Sequence, residues 1–139
     1  MDRDIVGYKL IGKLVVPCFD ILEWARWYET ADRVVGKTQV GPLTVSTVFL
    51  GLDHGWGKRS RFFETMVFGD RTKMVELVPG KKRLFRSTPG NYEVRYETWA
   101  EAEAGHQTAC AWAQEQLDKL EIDFASGRTP RQTTDRSGA

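Results

Sequence analysis

Residues 42–68, PLTVSTVFLGLDHGWGKRSRFFETMVF, decide how this chain reads. Side chains along a strand alternate between its two faces. The run from Leu43 alternates at first and turns apolar on both faces at Val48, Phe49 and Leu50, as a strand does on entering the middle of a sheet. The run Arg61 to Phe68 puts Phe62, Glu64, Met66 and Phe68 on one face and Phe63, Thr65 and Val67 on the other, so Glu64 shares a face with large apolar groups. The two runs predict a hairpin, and its connection GLDHGWG is longer than a tight turn requires. Asp53, His54 and Trp56 stand there among glycines, which let backbone approach a ligand closely.

Upstream, VGYKLIGKLVV (6–16) predicts a first, edge strand that Pro17 ends by removing a ladder donor. Asp20 with Glu23 matches a capping box. The helix it opens sets Ile21, Trp24, Tyr28, Ala31 and Val35 on one side and Glu23, Arg26, Glu29 and Arg33 on the other, with Gly36 as its stop. Downstream, TKMVELV and KRLFRS, separated by Pro79-Gly80, and then YEVRY predict further strands. Thr98 with Glu101 caps a second helix whose inward stripe is Trp99, Ala102, His106, Ala109, Ala113 and Leu117. This order predicts an α+β fold, a mainly antiparallel sheet of about five strands covered on one face by two helices. Residues 1–125 form the single domain, and 126–139, without periodicity, read as a disordered tail. The second sheet face must be wetted, used, or paired with another copy, and the surplus of aromatics leaves room for a homodimer or higher homo-oligomer.

Composition removes several classes of function. Lys and Arg number 20 against 19 Asp and Glu, so the broad basic field of a duplex DNA binder is missing and any anion site must be local. Cys18 and Cys110 form no CxxC pattern, which argues against a zinc knuckle or disulfide framework and for a reduced, cytoplasmic setting. No apolar run approaches membrane-spanning length, so a membrane partner is not expected.

The residues able to carry chemistry fall into two groups. If the last helix packs over the hairpin, His54, Glu64 and His106 meet at one end of the sheet, and two imidazoles with a carboxylate suit a divalent metal or acid–base work. Against this, a histidine on an apolar helical stripe is more often a hydrogen-bonded core residue, and Asp53 suits a turn in which it bonds the backbone two positions on. The second group is Trp56, Lys58, Arg59 and Arg61, with Lys81, Lys82, Arg83, Phe85 and Arg86 further on. Aromatic faces beside guanidinium groups stack a base and hold phosphate, while the same charges also serve as solvated loop or strand-edge protection. There is no Walker loop, dinucleotide fingerprint or Gly-x-Ser-x-Gly elbow, and no cofactor or metal is expected.

Together, DILEWARWYETADRVV, VSTVFLGLDHGWG, FFETMVFGD and RYETWAEAEAGH resemble a group of small uncharacterised proteins encoded by tailed bacteriophages and prophages. In that group a helix, a strand, a Gly-Leu-Asp-His loop, a Phe-Glu-Thr-Met strand and an Ala-Gly-His helix follow in this order. The resemblance covers most of residues 17–108; the chain departs from it between Asp70 and Asn91, where a longer hairpin is inserted, and after Leu117. It implies a phage accessory protein in the cytoplasm of the host bacterium, with Asp53, His54, Glu64 and His106 as matching polar positions. With Trp56, Arg59 and Arg61 these make the expected ligand-binding set. The first function expected is a non-enzymatic binder in counter-defence, which sequesters a small nucleotide-like anion or inhibits a host protein. The alternatives are a small metal-dependent hydrolase using His54, Glu64 and His106, and a structural or regulatory interaction module.

Overall fold

A computed structural model describes residues 4–69 and 92–125, with side chains through Lys119. The chain folds as α+β, in the order β1 (Gly7–Ile11), β2 (Leu14–Cys18), α1 (Ile21–Thr30), β3 (Val34–Val40), β4 (Leu43–Phe49), β5 (Phe63–Gly69), β6 (Glu93–Tyr96) and α2 (Trp99–Ala125). Here β1 and β2 form a two-stranded hairpin, while β3-β4-β5-β6 form an antiparallel sheet in that spatial order. The expected strands TKMVELV and KRLFRS and the expected tail at 126–139 lie outside the described residues.

Alternation along the two middle strands fixes the layers. Leu43, Val45, Thr47 and Phe49 of β4 are buried, as are Phe63, Thr65 and Val67 of β5, and the register sets Val45 beside Val67, Thr47 beside Thr65 and Phe49 beside Phe63. Onto this face α2 lays the stripe Ala102, His106, Ala109, Ala113 and Leu117, all buried. Leu43, Val45 and Val67 pack with Ala109, Ala113 and Leu117 in one apolar cluster. Phe49, Phe63 and Ala102 make a second, which Tyr8, Leu10, Val15, Trp27, Tyr96 and Trp99 close from the hairpin, α1, the end of β6 and the start of α2. Trp27 stands edge-on to Phe49 with centroids 5.8 Å apart, so α1 reaches the same sheet face as α2. Burying rings such as Phe49 and Phe63 contributes about 1.5–3 kcal/mol each.

Two expected boundaries are corrected. The single strand over 6–16 is a hairpin turning at Gly12, whose φ is +61°, and Pro17 lies inside β2 opposite Tyr8. Proline is tolerated there because the backbone of Tyr8 faces the other way: its N–H donates to the Gly51 carbonyl at 2.8 Å, and its carbonyl accepts from Trp24 Nε1 at 3.1 Å. Helix α1 stops at Thr30, well before Gly36. Beyond it, Asp32 accepts the Val34 N–H at 3.0 Å, and the Arg33 guanidinium stacks on Tyr28 and donates to the Phe49 carbonyl at 3.1 Å. The β-branched pair Val34-Val35 then enters a ladder with β4, which offers hydrogen bonds that a frayed last helical turn does not. At the start of α1, Asp20 caps the Leu22 and Glu23 N–H groups at 2.9 and 3.1 Å, while Glu23 accepts from the buried Cys18 thiol at 3.2 Å and pairs with Lys9 at 3.5 Å.

At Gly105 the helix touches the Tyr96 phenol so closely that any Cβ would overlap the ring, and the Tyr96 hydroxyl is buried without a hydrogen-bond partner among the described residues. Gly105→Ala is therefore expected to cost about 1–3 kcal/mol through overpacking. Tyr96→Phe, which removes an unsatisfied buried group, should raise the thermal midpoint. Thermal melts of both variants check the pair.

Candidate functional site

The connection between β4 and β5 is a braced platform. Its base continues the ladder, with Leu50 N–H to the Phe62 carbonyl at 2.7 Å and His54 N–H to the Arg61 carbonyl at 2.9 Å. Inside it, Asp53 Oδ1 accepts the N–H groups of Gly55 at 2.8 Å and Arg61 at 2.9 Å, and Oδ2 accepts the Ser60 hydroxyl at 3.0 Å. Burial opposes the charge on Asp53, but these donors, helped by nearby His54, outweigh it and hold the carboxyl below the usual aspartate range. Gly55 sits where a Cβ would strike the Arg59 carbonyl.

At the tip, Lys58 N–H returns to the Gly55 carbonyl at 3.1 Å, with Trp56 at φ +52° and Gly57 at φ +82°. Positive φ at both central residues is the type I′ turn, which favours Asn or Gly and carries a bulky side chain only at a cost of about 1–3 kcal/mol. The Trp56 side chain gains no burial in exchange, being 83% exposed, and Leu52 nearby is 44% exposed.

Two struts hold the platform. On one side the Gly51 carbonyl accepts Tyr8 N–H at 2.8 Å and Trp24 Nε1 at 3.2 Å. On the other, Arg59 donates to Glu97 at 2.8 Å and to Glu101. Glu101 also completes the expected capping box, its Oε1 accepting the Thr98 N–H at 3.2 Å while the Thr98 hydroxyl accepts the Glu101 N–H at 3.2 Å. Both carboxylates raise the Arg59 pKa further; desolvation opposes the charge on Glu101, but Arg59 and the N–H groups of Glu97, at 3.1 Å, and Thr98 outweigh it and hold that carboxyl low.

The structure thus gathers Asp53, His54, Trp56, Arg59 and Arg61 into one loop and leaves Glu64 and His106 outside it. The shared site expected of His54, Glu64 and His106 does not form. Glu64 pairs with Arg95 at 2.9 Å on the sheet face turned from α2, whereas His106 lies beneath α2 on the opposite face. Strand alternation separates them: Thr65, next to Glu64, points to the His106 side. Among the described residues no group of three or more His, Cys, Asp or Glu side chains could hold a metal. Arg59, expected to meet an anion, already faces two carboxylates, and Arg61 Nη1 donates to the Ser60 carbonyl at 3.2 Å.

His106 instead organises a polar layer between the two apolar clusters. Its Nε2 lies 2.8 Å from Thr38 Oγ1 and its Nδ1 2.8 Å from Thr47 Oγ1, which is 2.5 Å from Thr65 Oγ1. The ring rests against Gly36, and beside it a cleft of about 510 Å³ opens between β3 and α2, lined by Val35, Thr38, Glu103 and Gln107 among others. The three threonines were not singled out in the sequence. The available signal was two hydroxyls, Thr47 and Thr65, on otherwise apolar strand faces.

Comparison of the chain with family models, curated proteins and solved structures gives no match. What defines the candidate site is therefore its own geometry: a loop hydrogen-bonded internally through Asp53, with an exposed indole at its tip.

Burial lowers the His106 pKa, so the folded chain resists a proton that the unfolded chain takes up. Below the ordinary imidazole value of about 6.5, stability should fall with pH until the depressed folded-state value is passed. His106→Gln should flatten that part of the profile. Urea unfolding free energies measured from neutral to mildly acid pH on both proteins check it.

Proposed function

We propose that this protein is a non-enzymatic binding module whose contact element is the 51–61 loop, and that its partner is a protein of the host cell. The observation that carries this reading is Trp56, held at positive φ and 83% exposed on a loop braced from two sides. A large side chain kept in a costly conformation without burial is the pattern of a contact residue, and Trp is enriched among the residues that dominate protein interfaces. Preorganisation lowers the ordering cost of association. The nucleotide-like anion is the weaker reading on the same loop, because Arg59 is neutralised by Glu97 and Glu101. The hydrolase reading lacks its converged side chains. The phage resemblance supports a host protein as the partner and counter-defence as its setting.

The test places a photo-crosslinking phenylalanine analogue at position 56 of the full chain in a bacterial host, with position 107, exposed on α2, as control. A discrete protein adduct from position 56 alone is expected. Trp56→Gly should abolish binding of the protein so captured while leaving the thermal midpoint equal or higher, since glycine relieves the positive φ. Absence of an adduct at 56, with the Trp56 indole resonance shifting on titration with nucleotides, would replace the protein partner by the nucleotide.

A further inference from the structure

The sheet face turned away from α2 carries a charge pattern that matches itself. No described element packs over it, and its outward positions on the middle strands are Thr44, Ser46, Val48, Glu64, Met66 and Phe68. Phe68 is 49% exposed and Val34, on the same face of β3, is 46% exposed. An antiparallel sheet face left to water alone normally alternates to polar residues. Here the middle strands mix Val48, Met66 and Phe68 with Thr44, Ser46 and the ion-paired Glu64, and the edge strands carry the remaining charges. Lys37 lies on β3, without an ion-pair partner among the described residues. At the other side Arg95 pairs with Glu64 at 2.9 Å and Glu93 at 2.8 Å, which leaves one carboxylate in excess. The register draws Lys37, Ser46, Met66 and Glu93 into one row across the sheet, positive at one end and negative at the other.

We propose that this face pairs with the same face of a second copy, about a two-fold axis parallel to the strands. That operation lays β3 over β6 and β4 over β5 and keeps every cross-strand row at its own level. Lys37 then meets Glu93 of the partner subunit, twice over by symmetry, and Met66 covers Ser46 of the partner subunit. Face-to-face sheets pack about 10 Å apart, a gap that an extended lysine and a glutamate bridge together. A two-fold axis running across the strands through the same row would set Lys37 on Lys37 and forfeit the match, so the charges select the arrangement. The surface uses no residue of the 51–61 loop and stands independently of the host-partner reading. A four-stranded face is smaller than a standard interface, so the association is expected to be reversible with protein concentration.

Sedimentation velocity of the full chain over a wide range of concentration, at low and high salt, tests this. A monomer–dimer equilibrium weakened by salt is expected. Lys37→Glu and Glu93→Lys should each weaken dimerisation by at least about tenfold, because each sets like charges opposite one another. Mixing the two single variants should restore a dimer between them, since every pair across that interface is again of opposite sign. Circular dichroism establishes that both variants are folded. A wild-type chain that stays monomeric throughout would overturn the proposal. So would single variants that dimerise like wild type, or a mixture of folded variants that fails to associate.

Discussion

The position of α2 on the sheet depends on one side chain with two hydrogen-bonding ends. Ala102, Ala109 and Ala113 let the helix approach closely, but methyl groups do little to stop it sliding or rolling. His106 supplies the lock, because its ring nitrogens engage Thr38 on β3 and Thr47 on β4 at once, and Thr47 passes the chain of hydrogen bonds to Thr65 on β5. Three strands and one helix are thereby tied at a single depth. His106, Thr47 and Thr65 are buried, and buried polar groups joined in this way specify a register, since a shift of α2 would leave the His106 Nδ1 end unpaired in a medium that penalises it.

The loop above this core obeys the same logic at smaller scale. Asp53 is its hub, gathering two amides and a hydroxyl, so that a segment carrying several glycines does not behave as a flexible linker. Arg59 then ties the loop to the capping carboxylate of α2, and the position of Trp56 follows from the start of that helix as well as from its own turn. Glu101 serves the helix cap and the loop strut together. A change there would reach both, which is the structural reason that the basic residues of this loop cannot be treated as an independent charged patch.

Much of the layer arrangement was legible in the residues. The alternation of β5 and the start of β4 and the stripe of α2 follow the strand and helix periods, and the Thr98–Glu101 box marks where α2 begins. The α1–β3 boundary was hidden because Ala31 and Val35 continue a helical spacing by coincidence, while the ladder that claims Val34–Val40 is made with a strand further along the chain. The candidate site was only half visible. Its loop residues are local and were found, but the partners that settle what they do are distant: Glu97 and Glu101 lie 38 and 42 positions beyond Arg59, and Thr47 lies 59 before His106. Spacing also suggested that His106 and Glu64 converge, when a sheet stands between them.

The polar layer divides the interior into two apolar territories of unequal attachment. The territory around Leu43, Val45, Val67 and Leu117 is made from the sheet and the middle of α2, and nothing from β1, β2 or α1 enters it. The hairpin and α1 join only the territory around Phe49 and Phe63. Regions of a native protein open locally according to the contacts that hold them, so an opening of residues 7–30 would have to break the packing of Tyr8, Leu10, Val15 and Trp27 on that one territory and would leave the other intact. Such an opening would release the Gly51 strut and leave the Arg59 strut in place, turning a braced platform into one hinged at the mouth of α2.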